Sequence, residues 1–274
     1  MKNILTYIIV IVTSLSFIGC EDVVDVDLDT APPKLVIDAS IKWVKGTPGN
    51  EQKVKLTTTT GFYNSTIPTV SGATVFITNS ANTVFNFIET PNTGDYICTN
   101  FTPVINENYT LTVISEGQTY TASEKLYASP EIDDIEQSIF PGIGDEQIQV
   151  KFYYQDNGAE DNFYLIGFKN SNITFPEYGV APDEFFQGNQ MFGFYTDEDL
   201  KANDILDLSL QGISERYSNY MTKLLNIAGT NEGNPFTSPP ATLRGNITNQ
   251  TNKSNYPLGY FSLGETDTAS YVVQ

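Results

Sequence analysis

The chain has 274 residues, 33 acidic against 14 basic side chains, a net charge of −19, no histidine and two cysteines. Such a charge excludes a nucleic-acid binder, which needs a basic face to neutralise phosphates. The missing imidazole excludes Ser-His-Asp and Cys-His catalysis and histidine-ligated zinc or haem, which leaves carboxylate chemistry, calcium or no reaction at all.

Residues 1–19 hold one charge, Lys2, followed by the apolar run Ile4 to Val12. A run this short, followed at once by acidic sequence, predicts a cleaved secretory signal rather than a membrane span. Gly19-Cys20 at its end resembles a lipobox, so we expect Cys20 to be acylated and to become the first residue of the mature chain. A soluble secreted protein with an ordinary cleavage site is the alternative. Residues 20–33 bring Glu21, Asp22, Asp25, Asp27 and Asp29 before Pro32-Pro33 and read as a solvated tether. The glycine and distal glutamate of an EF-hand loop are missing there, and no metal is assigned. Acid-rich sequence directly after a lipidated cysteine also resembles the surface-export signal of Bacteroidota lipoproteins, which implies an outer-membrane protein facing the cell exterior. With Cys20 acylated, only Cys98 is left and no internal disulfide can form. Its place in Tyr96-Ile97-Cys98-Thr99 predicts a buried, inert thiol.

From Lys34 the pattern has period two. Lys53 to Thr57 and Tyr109 to Val113 alternate an apolar face with a polar one, as half-buried antiparallel strands do. Turn clusters at Gly46 to Asn50, Val70 to Gly72, Pro91 to Asp95 and Glu116 to Gln118 separate such runs. Short strands at this spacing predict a β-sandwich, and their order is similar to transthyretin-like and immunoglobulin-like modules. We place this N-terminal domain at 34–128. A second, fibronectin-like sandwich follows over 129–274, opening with the strand pair Ile148 to Tyr154 and Asn162 to Phe168 around Gln155 to Gly158. Asp156, Glu160 and Asp161 sit at that turn, where Asx-turn chemistry accounts for them without a cation.

One helix is expected, near the C-terminal end over about 213–228. Ile213, Tyr217, Tyr220, Met221, Leu224, Ile227 and Ala228 share a face, Ser214 caps, and Gly229 lies beyond the last turn. A second, shorter helical turn is expected at Thr196 to Asp199. Between the strands, Phe175, Tyr178, Phe185, Phe186, Phe192, Phe194 and Tyr195 are interleaved with prolines and glycines too irregularly for strand alternation, and the first five are the partner-binding candidates. Two readings stay open for this stretch, a patch presented to a partner or a cover for a sandwich edge.

Late in the chain stand Gly233-Asn234-Pro235-Phe236, then Gly245-Asn246-Ile247, then Leu258-Gly259-Tyr260-Phe261. Together with the lipobox, the tether and the strand Leu35 to Ala39, these elements resemble the domain of unknown function 4249 family over essentially the whole mature chain. The resemblance implies a surface-exposed outer-membrane lipoprotein that partners a TonB-dependent receptor-like barrel, and it carries no catalytic residues. Our own reading of the motif is structural: Gly245 and Gly259 for close backbone approach, Asn246 for a bond to neighbouring backbone, Tyr260-Phe261 to anchor a last strand.

The functional expectation is therefore a non-catalytic partner or ligand-capture subunit with no cofactor and no metal. A structural or adhesive surface module is the alternative, and a carboxylate-based hydrolase a third reading. Asp29-Thr30-Ala31 and Asp267-Thr268-Ala269 resemble the Bacteroidota O-glycosylation motif, making Thr30 and Thr268 candidate sugar carriers.

Overall fold

Period-two patterning becomes strands, and the two-sandwich, mainly β architecture expected from it is the one the chain adopts. The computed structural model describes residues 31–61, 64–141, 146–184, 186–229 and 243–274. Cys20, the acidic tether and Thr30 lie outside the described residues, as do Phe185 and the Gly233 to Phe236 element.

The first sandwich is built from β1 (Leu35–Val44), β2 (Gln52–Thr58), β3 (Thr74–Asn79), β4 (Val84–Glu89), β5 (Asp95–Cys98), β6 (Asn108–Ser115) and β7 (Gln118–Lys125). Strands β1, β2 and β5 pair on one side and β4, β3, β6 and β7 on the other, with β4 also reaching β5. Every second residue points inward, so Ile37, Ile41, Leu56, Ile77, Phe87, Tyr96, Tyr109 and Leu111 fill the space between the sheets. Cys98 is buried in this core, and burial pushes its thiol pKa up, away from the reactive thiolate.

The second sandwich sets β8 (Ile132–Pro141), β9 (Glu146–Gln155) and β12 (Gln190–Thr196) against a sheet holding β10 (Phe163–Asn170), β11 (Glu177–Pro182) and β13 (Ile205–Ile213). Its core gathers Phe152, Tyr154, Tyr164, Ile166, Phe168 and Leu208. Two further strands, β14 (Thr248–Asn249) and β15 (Leu258–Val272), complete the described set.

Strand β15 corrects the expected domain division at residue 128. It is 15 residues long, enough to run about 50 Å. Its first part pairs parallel with β1, Val36 to Val44 against Leu258 to Thr266, and its second part antiparallel with β13. Phe261, Leu263 and Ile247 therefore belong to the first core although they lie in the C-terminal half. The joint between the sandwiches is stitched along this strand: the Ser129 amide donates to the Glu265 carboxylate, and the Ile132 amide donates to Asp267. Backbone crowding explains the glycines here. A Cβ on Gly245 would land on the Gly259 carbonyl oxygen, and one on Gly259, at φ +92°, on that of Ile37. Asn246 closes a reciprocal pair with Phe261, its side-chain amide donating to the Phe261 carbonyl at 2.8 Å and accepting from the Phe261 N–H at 2.9 Å.

Helix α1 (Glu215–Gly229) begins where expected, with Ser214 Oγ accepting the Tyr217 N–H. It lies on the outer face of the β10–β11–β13 sheet, where Tyr217 and Met221 pack on Leu165, Ile213 and Tyr260. Leu225 rather than Leu224 joins that contact, and Leu224 is left in solvent. The short helix expected at 196–199 is instead a turn. Asp197 accepts the Asp199 N–H with its carboxylate and the Leu200 N–H with its carbonyl, and burial of Leu200 fixes it.

Candidate functional site: an uncovered aromatic face

Strand β12 alternates where the sequence seemed irregular. Met191 and Tyr195 enter the core, while Phe192 and Phe194 point out of the sheet. Both outward rings are about half exposed, at 52% and 51%. Their neighbours on β9 extend the face: Phe192 pairs with Tyr153 at 6.2 Å between ring centroids, and Phe194 lies 6.5 Å from Phe192. Lys151 sets its ammonium 5.3 Å over the Phe192 ring. Beyond them Glu136 on β8 accepts the Tyr153 hydroxyl at 2.8 Å. That bond to a carboxylate, with smaller contributions from burial and the charges of Glu136 and Asp134, raises the Tyr153 phenol pKa and keeps it neutral. The face thus runs from bare phenyl rings to a polar, acidic border, the anatomy of an interface core with a rim. Among the described residues β12 is paired on one side only, so its backbone edge is open to an added strand.

The loop that leads into β12 is fastened from below. Asp156 accepts the Tyr164 hydroxyl at 2.6 Å with one oxygen and the Gly188 N–H at 2.8 Å with the other. Asp183 accepts the Asn162 N–H at 2.9 Å. Both carboxylates are buried, and the second oxygen of Asp183 has no hydrogen-bond partner. Desolvation raises the Asp183 pKa, reinforced by the charges of Asp156 and Asp161. This revises the Asx-turn reading of Asp156: the Asx turn belongs to Asn157, whose side chain accepts the Ala159 N–H, while Asp156 ties β10 to the loop at Gly188. Phe186, on the clamped loop, is 55% exposed.

The five aromatic residues expected to form a patch do not lie on one surface. Phe186 and Phe192 belong to the β12 side. Phe175 is the most exposed, at 79%, and sits between β10 and β11. Tyr178 lies on β11, in the opposite sheet, half-buried against the helix cluster with Lys42 Nζ 5.5 Å over its ring. Phe185 is outside the described residues. Phe194, which the sequence reading named in the same aromatic segment, completes the site with Tyr153 and Lys151, which it did not single out. The signal that could have found Tyr153 and Lys151 is the alternation of Ile148 to Tyr154, which turns both away from the buried Val150, Phe152 and Tyr154. Thr268 is exposed on the outer face of β15, opposite Ser209 of β13.

Residues 21–270 match the model of a protein family described as "Domain of unknown function (DUF4249)". Comparison with curated proteins gives no match. Similar solved structures include a two fibronectin type-III domain segment from chicken tenascin, at 10% identity over 66% of this chain and 90% of that one, with a TM-score of 0.22. A cytokine receptor complex is similar at 9% identity over 65% of this chain and 83% of that one, with a TM-score of 0.24.

Proposed function

We propose, for a chain that belongs to the DUF4249 family, the role of a non-catalytic binding module that docks a partner protein through the outer face of β12 and β9. The observation that carries this reading is the bare strip of Phe192 and Phe194 beside Tyr153 on a one-sided edge strand. Exposed phenyl rings in contact with one another release little water while uncovered and gain their burial energy only when a partner covers them. The partner class we propose is a TonB-dependent receptor-like barrel of the outer membrane. The anchor is an acyl chain on Cys20, which supplies the membrane attachment that a net charge of −19 does not. Support for the anchor comes from Gly19-Cys20 after a short apolar run and from the acidic tether behind it.

The test is recovery of a barrel protein with the tagged full-length chain from detergent-solubilised membranes, compared with the Phe192→Ser/Phe194→Ser variant. We expect the wild-type chain to bring the barrel down and the variant to lose it about tenfold or more. Equal recovery by both would remove the face from the interface, and no barrel with either would remove the partner. Mass spectrometry of the mature N-terminus checks the anchor separately, a diacylglyceryl mass on Cys20 being the expected result.

A further inference from the structure

An acidic chain has carboxylates to spare for its cations, and the ion pairs among the described residues use them: Lys45 with Glu265, and Lys53 and Lys55 with Asp95. One cluster departs from that arrangement. Lys34 Nζ and Arg244 Cζ each lie 3.8 Å from the centroid of the Tyr256 ring, so two positive groups share one aromatic support. On the Arg244 side of the ring lies a cavity of about 430 Å³ lined by Arg244, Lys253, Tyr256, Thr248 and Gln250, and among the described residues no acidic side chain lines it. Two of the chain's 14 cations, Arg244 and Lys253, line one cavity in a protein that carries 33 acids. Like charges held this close repel, and a tyrosine quadrupole offsets only part of the repulsion. An anion bound beside Arg244 in the cavity would offset more of it.

The cluster is assembled from three separate parts of the chain, each fixed by its neighbours. Lys34 precedes β1, and its amide donates to Thr59 Oγ1 at 2.9 Å. Arg244 leads into Gly245 and Asn246, which are locked to Gly259 and Phe261. Tyr256 sits in a loop laced by the buried Asn249, which donates to the Asn255 carbonyl and accepts the Thr251 and Asn252 amides. A guanidinium lying over a ring keeps its in-plane N–H groups free for a bidentate acceptor, and Arg244 donates no side-chain hydrogen bond to another described residue.

We propose that this cavity binds an oxyanion of the phosphate class, a phosphate monoester or diester, with Arg244 as the forked donor, Lys253 as the flanking charge and Tyr256 as the support that fixes the guanidinium. The reading is independent of the aromatic face on β12. The same chemistry arrives from two sources, a soluble phosphate ester or a lipid headgroup. The full-length chain is titrated at low salt with inorganic phosphate and glycerol 3-phosphate, and separately with vesicles of phosphatidylglycerol in phosphatidylcholine. Saturable binding is expected, weakened about tenfold or more by Arg244→Ala, less by Arg244→Lys, and unchanged by Lys223→Ala, which removes the same charge from the helix. Binding of the soluble probes assigns the first source and binding confined to vesicles the second. Where Arg244→Ala lowers the melting temperature, Lys253→Ala on the exposed side replaces it. Failure of every probe to bind, or wild-type affinity in both variants, overturns the proposal. Binding that appears only once Asp25, Asp27 and Asp29 are changed to Asn also overturns it, since the chain's own acidic segment would then be the occupant.

Discussion

The two outer faces of the second sandwich are both aromatic, and only one is covered. On the β10–β11–β13 side, α1 brings Tyr217 and Tyr220 against Tyr260, with ring centroids 4.7 and 4.8 Å apart. Each of these rings carries a hydroxyl. Burial raises the Tyr217 phenol pKa, partly balanced by hydroxyl contacts from Ser262 and Ser40. On the β8–β9–β12 side the outermost rings are Phe192 and Phe194, about half exposed, with no hydroxyl to satisfy and no helix over them among the described residues, only the Lys151 ammonium at the Phe192 ring. Tyrosine suits a covered face, because its ring fills space and its hydroxyl can meet polar groups left on the sheet, though that of Tyr260 has no hydrogen-bond partner among the described residues. A face of phenylalanines gains nothing from water on either count. The difference separates packing from binding more cleanly than aromatic content does, since both faces carry aromatic rings.

The largest expected effect lies on the covered side. Tyr217→Ala should destabilise the chain by about 3 to 5 kcal/mol, because it empties the centre of the helix-to-sheet contact. In a body of this size that lowers the melting temperature by roughly 10 °C. Thermal and denaturant unfolding measure it. A loss below about 1 kcal/mol would mean that the helix is not the cover we take it for.

A smaller effect separates the clamp under β12 from the face above it. The Asp183 carboxyl titrates above its ordinary value because it is desolvated. A raised folded-state pKa means that its contribution is fully present below the ordinary carboxylate value and is lost as pH rises through the raised one. Asp183→Asn keeps an acceptor for the Asn162 N–H and abolishes the charge. We therefore expect wild type and variant to unfold alike near about pH 3, with the variant gaining by up to about 1 kcal/mol toward about pH 7. Glu89, Glu107 and Asp204, whose pKa values are lowered, act in the opposite sense in both proteins and cancel from the comparison. A difference independent of pH would show that Asp183 acts through packing alone.

Much of the fold was legible because one-sided burial writes itself into a strand. Val54 and Leu56 alternate with Lys53, Lys55 and Thr57, and Tyr109, Leu111 and Val113 with Thr110 and Thr112, so β2 and β6 could be placed from the sequence. The helix was legible through its 3.6-residue period and the Ser214 cap. The pairing of β15 was not, since local patterning names a strand and never its partner, and β1 lies more than 200 residues away. Strand β12 was hidden for a different reason. Its outward residues are larger and more apolar than the inward Gly193, where a Cβ would come within 2.6 Å of the Phe152 ring. A pattern reader looking for hydrophobic residues inside sees no alternation when the big ones are outside. The cluster around Tyr256 was equally out of reach, since Lys34 and Arg244 meet only through the fold.

The smallest expected effect is the one that sharpens the comparison most. Phe192→Ser/Phe194→Ser replaces two large apolar side chains, a change that in a core would cost several kcal/mol. Here half of each ring already faces solvent, and the residues facing the core on the same strand, Met191 and Tyr195, are untouched. The unfolding free energy should therefore stay within about 0.5 kcal/mol of wild type, measured by denaturant titration with an unchanged slope. The same variant should be more soluble, since it removes a contiguous apolar strip from an edge strand. A loss of about 2 kcal/mol or more would place the phenyl rings in a packing role like that of Tyr217 and erase the distinction between the two faces. Stability that holds while barrel recovery falls leaves binding as the one job these rings perform, because a residue that contributes nothing to the folded state and costs solubility is retained by what it touches outside the chain.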